Sequence, residues 1–479
     1  MGKFTRSLLW SLFFLLNAVA SFSQERWDLK RAVDYALENN ISVRQADLQI
    51  RFAELEFNQA KLSQYGAAQF STNAGYSSGR NQDPTTFDLI TTGYVFNNYS
   101  LQASADIFNW FSKKNTIAGR DLDLQATRAG LDKAKNDVAL NVAIAYLQVL
   151  LSREQANLFR VLITQTSSQL ESTRRQVLVG KLPELSAANL EAQLASDSTN
   201  LITAETTARQ FLLQLKALLN LDPAMSFDIV TPPVELIPVE SLADLQPENV
   251  YRQATTTMPQ QVVDNLKVQA SKKYVEAARG AMYPTISLFG SLGTAFNNRS
   301  RQVTDVKQFT PPIGTVNVNG TNYTVLAIEP FEQPVLGNFP YFDQLNQNFR
   351  QSIGVGVTVP IFNGGVLRSN WNRAKLNVKQ AELVQEQNSF TLKQDIYTAY
   401  NDAVAAMQKF NANKKAVETA QKAYDFATKR FEVGLLSTYE LISTQTVLAQ
   451  ARTNLLASQY DYVFKMKLLE FYKGQGLKL

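Results

Sequence analysis

The chain has no cysteine and no histidine among its 479 residues. The first absence excludes disulfides and thiol nucleophiles, and the second excludes a Ser-His-Asp triad; together they exclude Cys/His zinc sites. Any catalysis would have to run on carboxylates, lysine or serine, and the strand and helix patterns described below account for those residues more simply as surface. No cofactor or metal is expected, and no P-loop or other nucleotide motif is present. The net charge is +5, with both signs scattered along the chain. No basic run is long enough to track phosphates, which argues against nucleic-acid binding. Long apolar runs are also missing. Beyond the N-terminus no segment reaches 18 consecutive apolar residues, so no membrane-spanning helix is expected in the mature protein.

The N-terminus has the layout of a secretory signal, taken as residues 1–23. Lys3 and Arg6 form the positive region, Leu8 to Leu16 the apolar core, and Ala18, Ala20 and Ser23 the small residues for cleavage. A membrane anchor is the competing reading, but the apolar run is short for a span of ~20 residues. Losing Lys3 and Arg6 takes the charge from +5 to +3.

What the chain does contain is itself, twice. Asp106-Ile107-Phe108-Asn109 precedes Pro360-Ile361-Phe362-Asn363 by 254 residues, and the same offset aligns Ala145-Tyr146 with Ala399-Tyr400 and Val179-Gly180 with Val433-Gly434. An offset of 218 aligns Ala36 with Ala254, Ala60 with Ala278 and Tyr65 with Tyr283, so the second copy carries 36 extra residues in one lengthened loop. The expected division is a first repeat over 24–221, a Pro-rich linker over 222–247 and a second repeat over 248–479. Pro223, Pro232, Pro233, Pro238 and Pro247 keep the linker from forming a long helix.

Each copy holds two short alternating segments. Tyr99, Leu101, Ala103, Ala105 and Ile107 alternate with polar neighbours, and Ile353, Val355, Val357, Val359 and Ile361 alternate with serine, glycine and threonine. Period-two alternation predicts strands with one apolar face, at about 67–78, 98–108, 285–296 and 351–362. Their length suits a tilted bilayer crossing, and aromatics gather near both ends, among them Tyr65, Trp110 and Tyr283 at one and Tyr76, Tyr94 and Phe296 at the other. A half-buried sheet of a soluble sandwich would show the same alternation. Four strands cannot close a barrel, and an open edge in lipid leaves backbone groups unpaired. Three chains would give about twelve strands, enough to leave a pore.

Residues 112–177 and 366–432 contain no proline and are rich in Ala, Leu, Gln, Lys and Glu. They predict helices of roughly 100 Å. Each should end at a glycine turn, Gly180 or Gly434, that reverses the chain into a return helix, 184–220 or 438–473. Pro183 suits the first turn of its return helix. The return helices keep an apolar seam: Leu441, Leu448, Leu455 and Leu469 in one, Leu190, Leu194, Leu201 and Leu215 in the other. Asp197 and Lys465 break it once each. Leading helices are expected over 28–62 and 248–280. A return and a leading helix placed end to end match one long helix, so each chain offers four columns of helix beneath four strands.

Signal, helix, strand pair, long helix, glycine turn and return helix, all repeated, resemble the TolC family of outer-membrane efflux proteins. The resemblance covers the whole mature chain, and its local marks are Tyr283-Pro284, Pro360-Ile361-Phe362-Asn363-Gly364-Gly365 and Phe431-Glu432-Val433-Gly434. It implies an α+β membrane protein: a homotrimeric, twelve-stranded β-barrel continued by a long periplasmic α-helical barrel. It further implies a passive exit duct of a tripartite efflux or type I secretion system in the outer membrane of a Gram-negative bacterium, with most of the chain in the periplasm. Partners would be a periplasmic adaptor and an inner-membrane pump that supplies the energy, with Gly180, Pro183 and Gly434 at the docking tips. By the same resemblance Glu440 falls where acidic residues ring the periplasmic mouth, as a pore constriction, while Ser443 stands where a second acid is usual. Phe431, Leu436 and Ser186 occupy positions of polar links that hold the family's mouth closed, and they cannot make those links. The competing function is a trimeric coiled-coil stalk or adhesin, which shares the helical signals but has no need of two hairpins with apolar faces.

Overall fold

A computed structural model describes residues 26–82, 87–232 and 237–474. The expected signal over 1–23 lies outside the described residues. The chain divides into two compact units. In chain order its elements are α1 (Leu29–Asn39), α2 (Ile41–Leu62), β1 (Ala67–Gln82), β2 (Leu89–Phe108), α3 (Ser112–Leu178) and α4 (Glu184–Leu218). Then come α5 (Pro247–Thr257), α6 (Pro259–Gly280), β3 (Thr285–Asn297), β4 (Arg301–Phe309), β5 (Pro312–Val318), β6 (Thr321–Leu326) and β7 (Phe331–Asn338). The chain continues through α7 (Tyr341–Gln347), β8 (Arg350–Thr358), α8 (Val366–Glu432) and α9 (Thr438–Tyr472). No helix of the described residues is long and apolar enough to cross a membrane.

The first unit comprises the described residues within 1–55, 121–271 and 377–479, and it is helical. One core packs Leu29, Ala32 and Ala36 of α1 against Val142, Tyr146 and Leu150 of α3. Tyr146 ties the linker to this core, its hydroxyl donating to the carbonyls of Val230 at 2.7 Å and Trp27 at 3.2 Å. Burial pushes the Tyr146 hydroxyl far above the usual phenol range. A second core joins Val250 and Ala254 of α5, Ile396, Ala399 and Ala403 of α8, and Met466 and Leu469 of α9. Burying each Leu- or Met-sized side chain in these cores contributes about 1.5–3 kcal/mol.

The expected leading helices are each interrupted. The run 28–62 breaks at Asn40, which adopts an extended backbone while its side chain donates to the Leu218 carbonyl at 2.7 Å and accepts from Ser42 N at 2.8 Å. The run 248–280 breaks at Met258, because Pro259 offers no N–H and turns the preceding residue away from helix.

The second unit comprises residues 56–120 and 272–376 and holds an antiparallel sheet in the order β1-β2-β3-β8. Register puts Phe70, Leu101 and Leu292 in one row, and Ala68, Ala103, Gly290 and Ile353 in the next row of the same face. The opposite face is polar: Ser71 and Ser100 hydroxyls meet at 2.6 Å, and those of Ser291 and Ser352 at 2.8 Å. β1 and β8 are the free edges of this sheet. The strand expected over about 351–362 stops at Thr358, where β3 has no further residue to pair with and Pro360 cannot donate. β1 and β2 instead outrun their expected bounds, to Gln82 and back to Leu89, and the added residues stay in register from Gly79↔Thr92 to Gln82↔Leu89.

The lengthened loop of the second copy is not plain loop. It carries two ribbons, β4–β7 and β5–β6, and the short helix α7, so the described chain has strands beyond the four of the sheet. Asn319-Gly320 closes the inner ribbon with φ of 51° and 84°, the two-residue turn that suits a hairpin.

The helical tips as candidate functional site

α3 and α8 end in the same way. At the first tip Gly180 N donates to the Val177 carbonyl at 2.9 Å, and Lys181 N donates to the Gln176 carbonyl at 2.9 Å. At the second, Gly434 N donates to the Phe431 carbonyl at 3.0 Å and Leu435 N to the Arg430 carbonyl at 2.8 Å. Both glycines are left-handed, with φ of 72° and 77°. This is the Schellman termination, in which a residue without Cβ frees the backbone to satisfy the last carbonyls and turn back.

The return helices start differently. Pro183 sits at the N-cap of α4 with an extended backbone, one position before the first turn that the sequence predicted, and it offers no capping side chain. Ser437 caps α9 in full: its hydroxyl accepts from Glu440 N at 3.2 Å, while the Glu440 carboxylate accepts from Ser437 N at 3.0 Å. That reciprocal box satisfies two otherwise orphaned donors. The Ser437 hydroxyl also donates to the same Glu440 oxygen at 2.8 Å. Hydrogen bonds from the Ser437 hydroxyl first and its N–H second hold the Glu440 carboxyl below the usual range, with Arg430 adding attraction. Glu440 is therefore a built-in helix-start acid whose exposed carboxylate stays ionised.

The fold brings the two tips together. Leu182 from the first packs with Phe431, Leu436, Ala427 and Leu441 from the second. Ile442 of α9 in turn packs against Leu170, Ala187 and Leu190. Phe431 and Leu436 thus make an apolar joint where the resemblance implied polar links, and Ser186 is buried. Further along the seam lies a buried polar joint. Gln445 Nε2 donates to Thr166 Oγ1 at 2.9 Å, Thr166 Oγ1 to Asp197 Oδ2 at 2.7 Å, and Gln193 Nε2 to Asp197 Oδ1 at 2.8 Å. Asp197, which interrupts the apolar seam in sequence, is the acceptor that joins α3, α4 and α9. Lys465, the other interruption, reaches Asp402 of α8 at 2.7 Å.

The residue profile of one family, described as outer membrane efflux protein, matches residues 32–221 and 250–469. The chain belongs to that family. This outer membrane efflux protein is 23% identical to the outer membrane efflux protein BepC of Brucella suis, over 91% of this chain and 82% of the relative. It is 22% identical to the outer membrane protein TolC of Escherichia coli K12, over 94% of this chain and 82% of that one. Among solved structures, a CusC structure superposes with a TM-score of 0.75 at 17% identity, covering 93% of this chain and 92% of that one. The Campylobacter jejuni CmeC outer membrane channel gives 0.70 at 18%, covering 94% and 86%. The efflux protein shares their α+β fold and is a protein of the outer membrane.

Sequence reasoning located the glycines of its tips but neither the Ser437 cap nor the apolar exposure beside them. Leu178, Val179 and Leu185 stand 86%, 71% and 68% exposed at the first tip, and Val433, Leu435 and Tyr439 stand 69%, 68% and 72% exposed at the second. The only signal available was an apolar residue beside each turn glycine, which the helix period alone does not distinguish from core.

Proposed function

We propose that the chain is one third of a homotrimeric exit duct, docked through its helical tips to a periplasmic adaptor and an inner-membrane pump of an efflux or type I secretion system. The observation that carries this reading is the sheet β1-β2-β3-β8, one face apolar and both edge strands free. An edge in lipid must be paired, so β8 of one copy meets β1 of the next. Three copies close a twelve-stranded barrel with the serine face lining the pore. The two-repeat organisation is supported by the helix breaks at Asn40 and Met258, which keep the 218-residue offset, and by the matched turns at Gly180 and Gly434. Apolar residues exposed at both tips suit a protein partner. Three copies of Glu440 would ring the mouth as a cation-favouring constriction, and their capped carboxylates would remain charged there. Transport energy and substrate choice lie with the pump. Mass measurement in detergent tests the assembly: a trimer is expected, and a stable monomer in membranes would overturn it. Conductance in a planar bilayer separates a duct from a coiled-coil stalk.

A further inference from the structure

At its C-terminal end, β3 outlasts its partner. β8 pairs with β3 only as far as Gly293↔Arg350, which leaves residues 294–297 of β3 without a strand on that side. Helix α7 fills the gap. Asn348 Nδ2 donates to the Ala295 carbonyl at 2.7 Å, Asn297 N donates to Gln344 Oε1 at 3.0 Å, and Thr294 Oγ1 donates to the Leu345 carbonyl at 2.6 Å. Gln344 is 1% exposed and also donates to the Phe339 carbonyl at 2.8 Å, tying the helix to the segment that leads into it. The Tyr341 ring lies 4.6 Å from that of Phe296, and its hydroxyl meets Tyr99 at 3.0 Å and accepts from Asn97 Nδ2 at 3.1 Å.

Side chains alternate along a strand, so Tyr99 shares a face with Leu101, and Phe296 with Leu292. α7 therefore sits at the rim of the apolar face of the sheet. Phe342 lies in the first turn of the helix, and Phe349 follows its C-cap Asn348, two residues past its end. Phe342 is 79% exposed and Phe349 is 53% exposed. Two phenylalanines held out at the start and just past the end of a helix that is hydrogen-bonded to β3 is an arrangement that bulk water disfavours. Where hydrocarbon gives way to headgroups it is favoured: rings can enter the acyl layer while Asp343, Gln347 and the tyrosine hydroxyls stay in the polar layer.

We propose that α7 is an interfacial anchor, with Phe342 and Phe349 inserted in the outer leaflet of the outer membrane at headgroup depth. This rests on the reading of the four-stranded sheet as membrane-spanning and adds to it a lipid contact outside the strands, which would fix the height and tilt of each subunit in the bilayer. The occupant is lipid because the exposed rings continue the apolar face and lie at its outer end.

The test uses the full protein in vesicles of phospholipid brominated at shallow or at deep acyl positions, with Phe342→Trp in one variant and Leu288→Trp, mid-face, in another. Emission of the unsubstituted protein is subtracted, since Trp27, Trp110 and Trp371 contribute. Phe342→Trp should lose about half or more of its added emission to shallow bromines and less to deep ones, with the reverse order at Leu288→Trp. Phe349→Trp supplies the same reading should the first variant fail to assemble. Quenching of Leu288→Trp but not of position 342 would overturn the anchor while sparing the barrel; blue-shifted emission would then mean a neighbouring copy covers α7, and red-shifted emission would mean water does. Quenching at neither position would overturn the membrane-spanning sheet as well.

Discussion

Gln445 and Thr166 share a hydrogen bond of 2.9 Å that links the return helix of the second hairpin to the long helix of the first. Thr166 passes its own hydrogen to Asp197, so removing the carboxylate strands two donors, whereas removing the amide strands none. Asp197→Ala should therefore cost about 2–4 kcal/mol and Gln445→Leu about 1 kcal/mol. Denaturant unfolding of the protein in detergent, followed by far-ultraviolet circular dichroism, gives the order. Equal losses would mean that the three side chains do not act as one network.

One heptad further toward the tip, the Thr173 hydroxyl is buried without a partner among the described residues, and so is that of Thr438. Neighbouring Thr164 and Ser168 instead return their hydrogens to carbonyls one turn back. Thr173→Val should accordingly be neutral or stabilise by up to about 1 kcal/mol, while Thr166→Val destabilises by about 2 kcal/mol. The same unfolding measurement compares the two; a Thr173→Val loss as large as that of Thr166→Val would mean the hydroxyl has a role in the assembled protein.

The long helices were legible because their signals are local: no proline from 112 to 177 or 366 to 432, and a glycine at each end where φ must turn positive. The four strands of the sheet were legible from alternation against lipid-like apolar positions. The break at Asn40 was not, since Asn40 leaves the helix to bond the Leu218 carbonyl, a partner 178 residues away. The ribbons of the inserted segment had a local signal in Asn319-Gly320, but their strands lack the long apolar alternation of the main sheet. At the site, Gly180 and Gly434 follow from spacing alone, whereas the Ser437–Glu440 capping box was found only in the structure. That Leu182 packs on Phe431, and that Asp197 serves as a joint rather than a flaw, depends on which helices meet, and one chain's periodicity does not carry that.

In the sheet, the ring of Phe289 lies across Gly354, where an added Cβ would approach its Cζ to 2.7 Å. On the apolar face Gly290 has room, its nearest atom being the Ser352 carbonyl oxygen at 3.7 Å. Gly354→Val should displace the ring, cost about 1–3 kcal/mol and lower the yield of folded protein in the outer membrane, while Gly290→Val leaves that yield near normal. Membrane fractionation with a protease-resistance assay compares them.

At the second tip nothing lies within 4 Å of a Cβ added to Gly434, so a substitution there acts through the backbone and not through a clash. A β-branched residue held at φ near 77° is strained by about 1–3 kcal/mol. Gly434→Val should shift the exposed Val433 and Leu435 and weaken coupling to the pump, with normal insertion, and Gly434→Ala should do so less. Efflux measured at matched protein levels is the check; unchanged efflux in Gly434→Val would remove the tip from the docking surface.

Glu440 has two separable jobs, and substitution can separate them. Its amide counterpart still accepts from Ser437 N, so Glu440→Gln keeps the capping box and removes only charge. Glu440→Ala removes both. The ionised carboxylate is favoured by folding, since its folded pKa is depressed. The stability this gives is present above the ordinary glutamate range, near pH ~4.3, and is lost as pH falls through the lower folded value. Glu440→Ala should abolish that acid-side dependence and destabilise the start of α9, whereas Glu440→Gln should abolish the dependence with the helix intact. If threefold symmetry brings the carboxylates to one narrow mouth, they attract cations in a confined space. Both variants should then reduce cation selectivity and relieve block by a trivalent cation, without altering assembly. Bilayer recordings under a salt gradient decide it: equal reversal potentials and equal block in Glu440→Gln and the unsubstituted protein would leave Glu440 as a helix cap facing away from the pore.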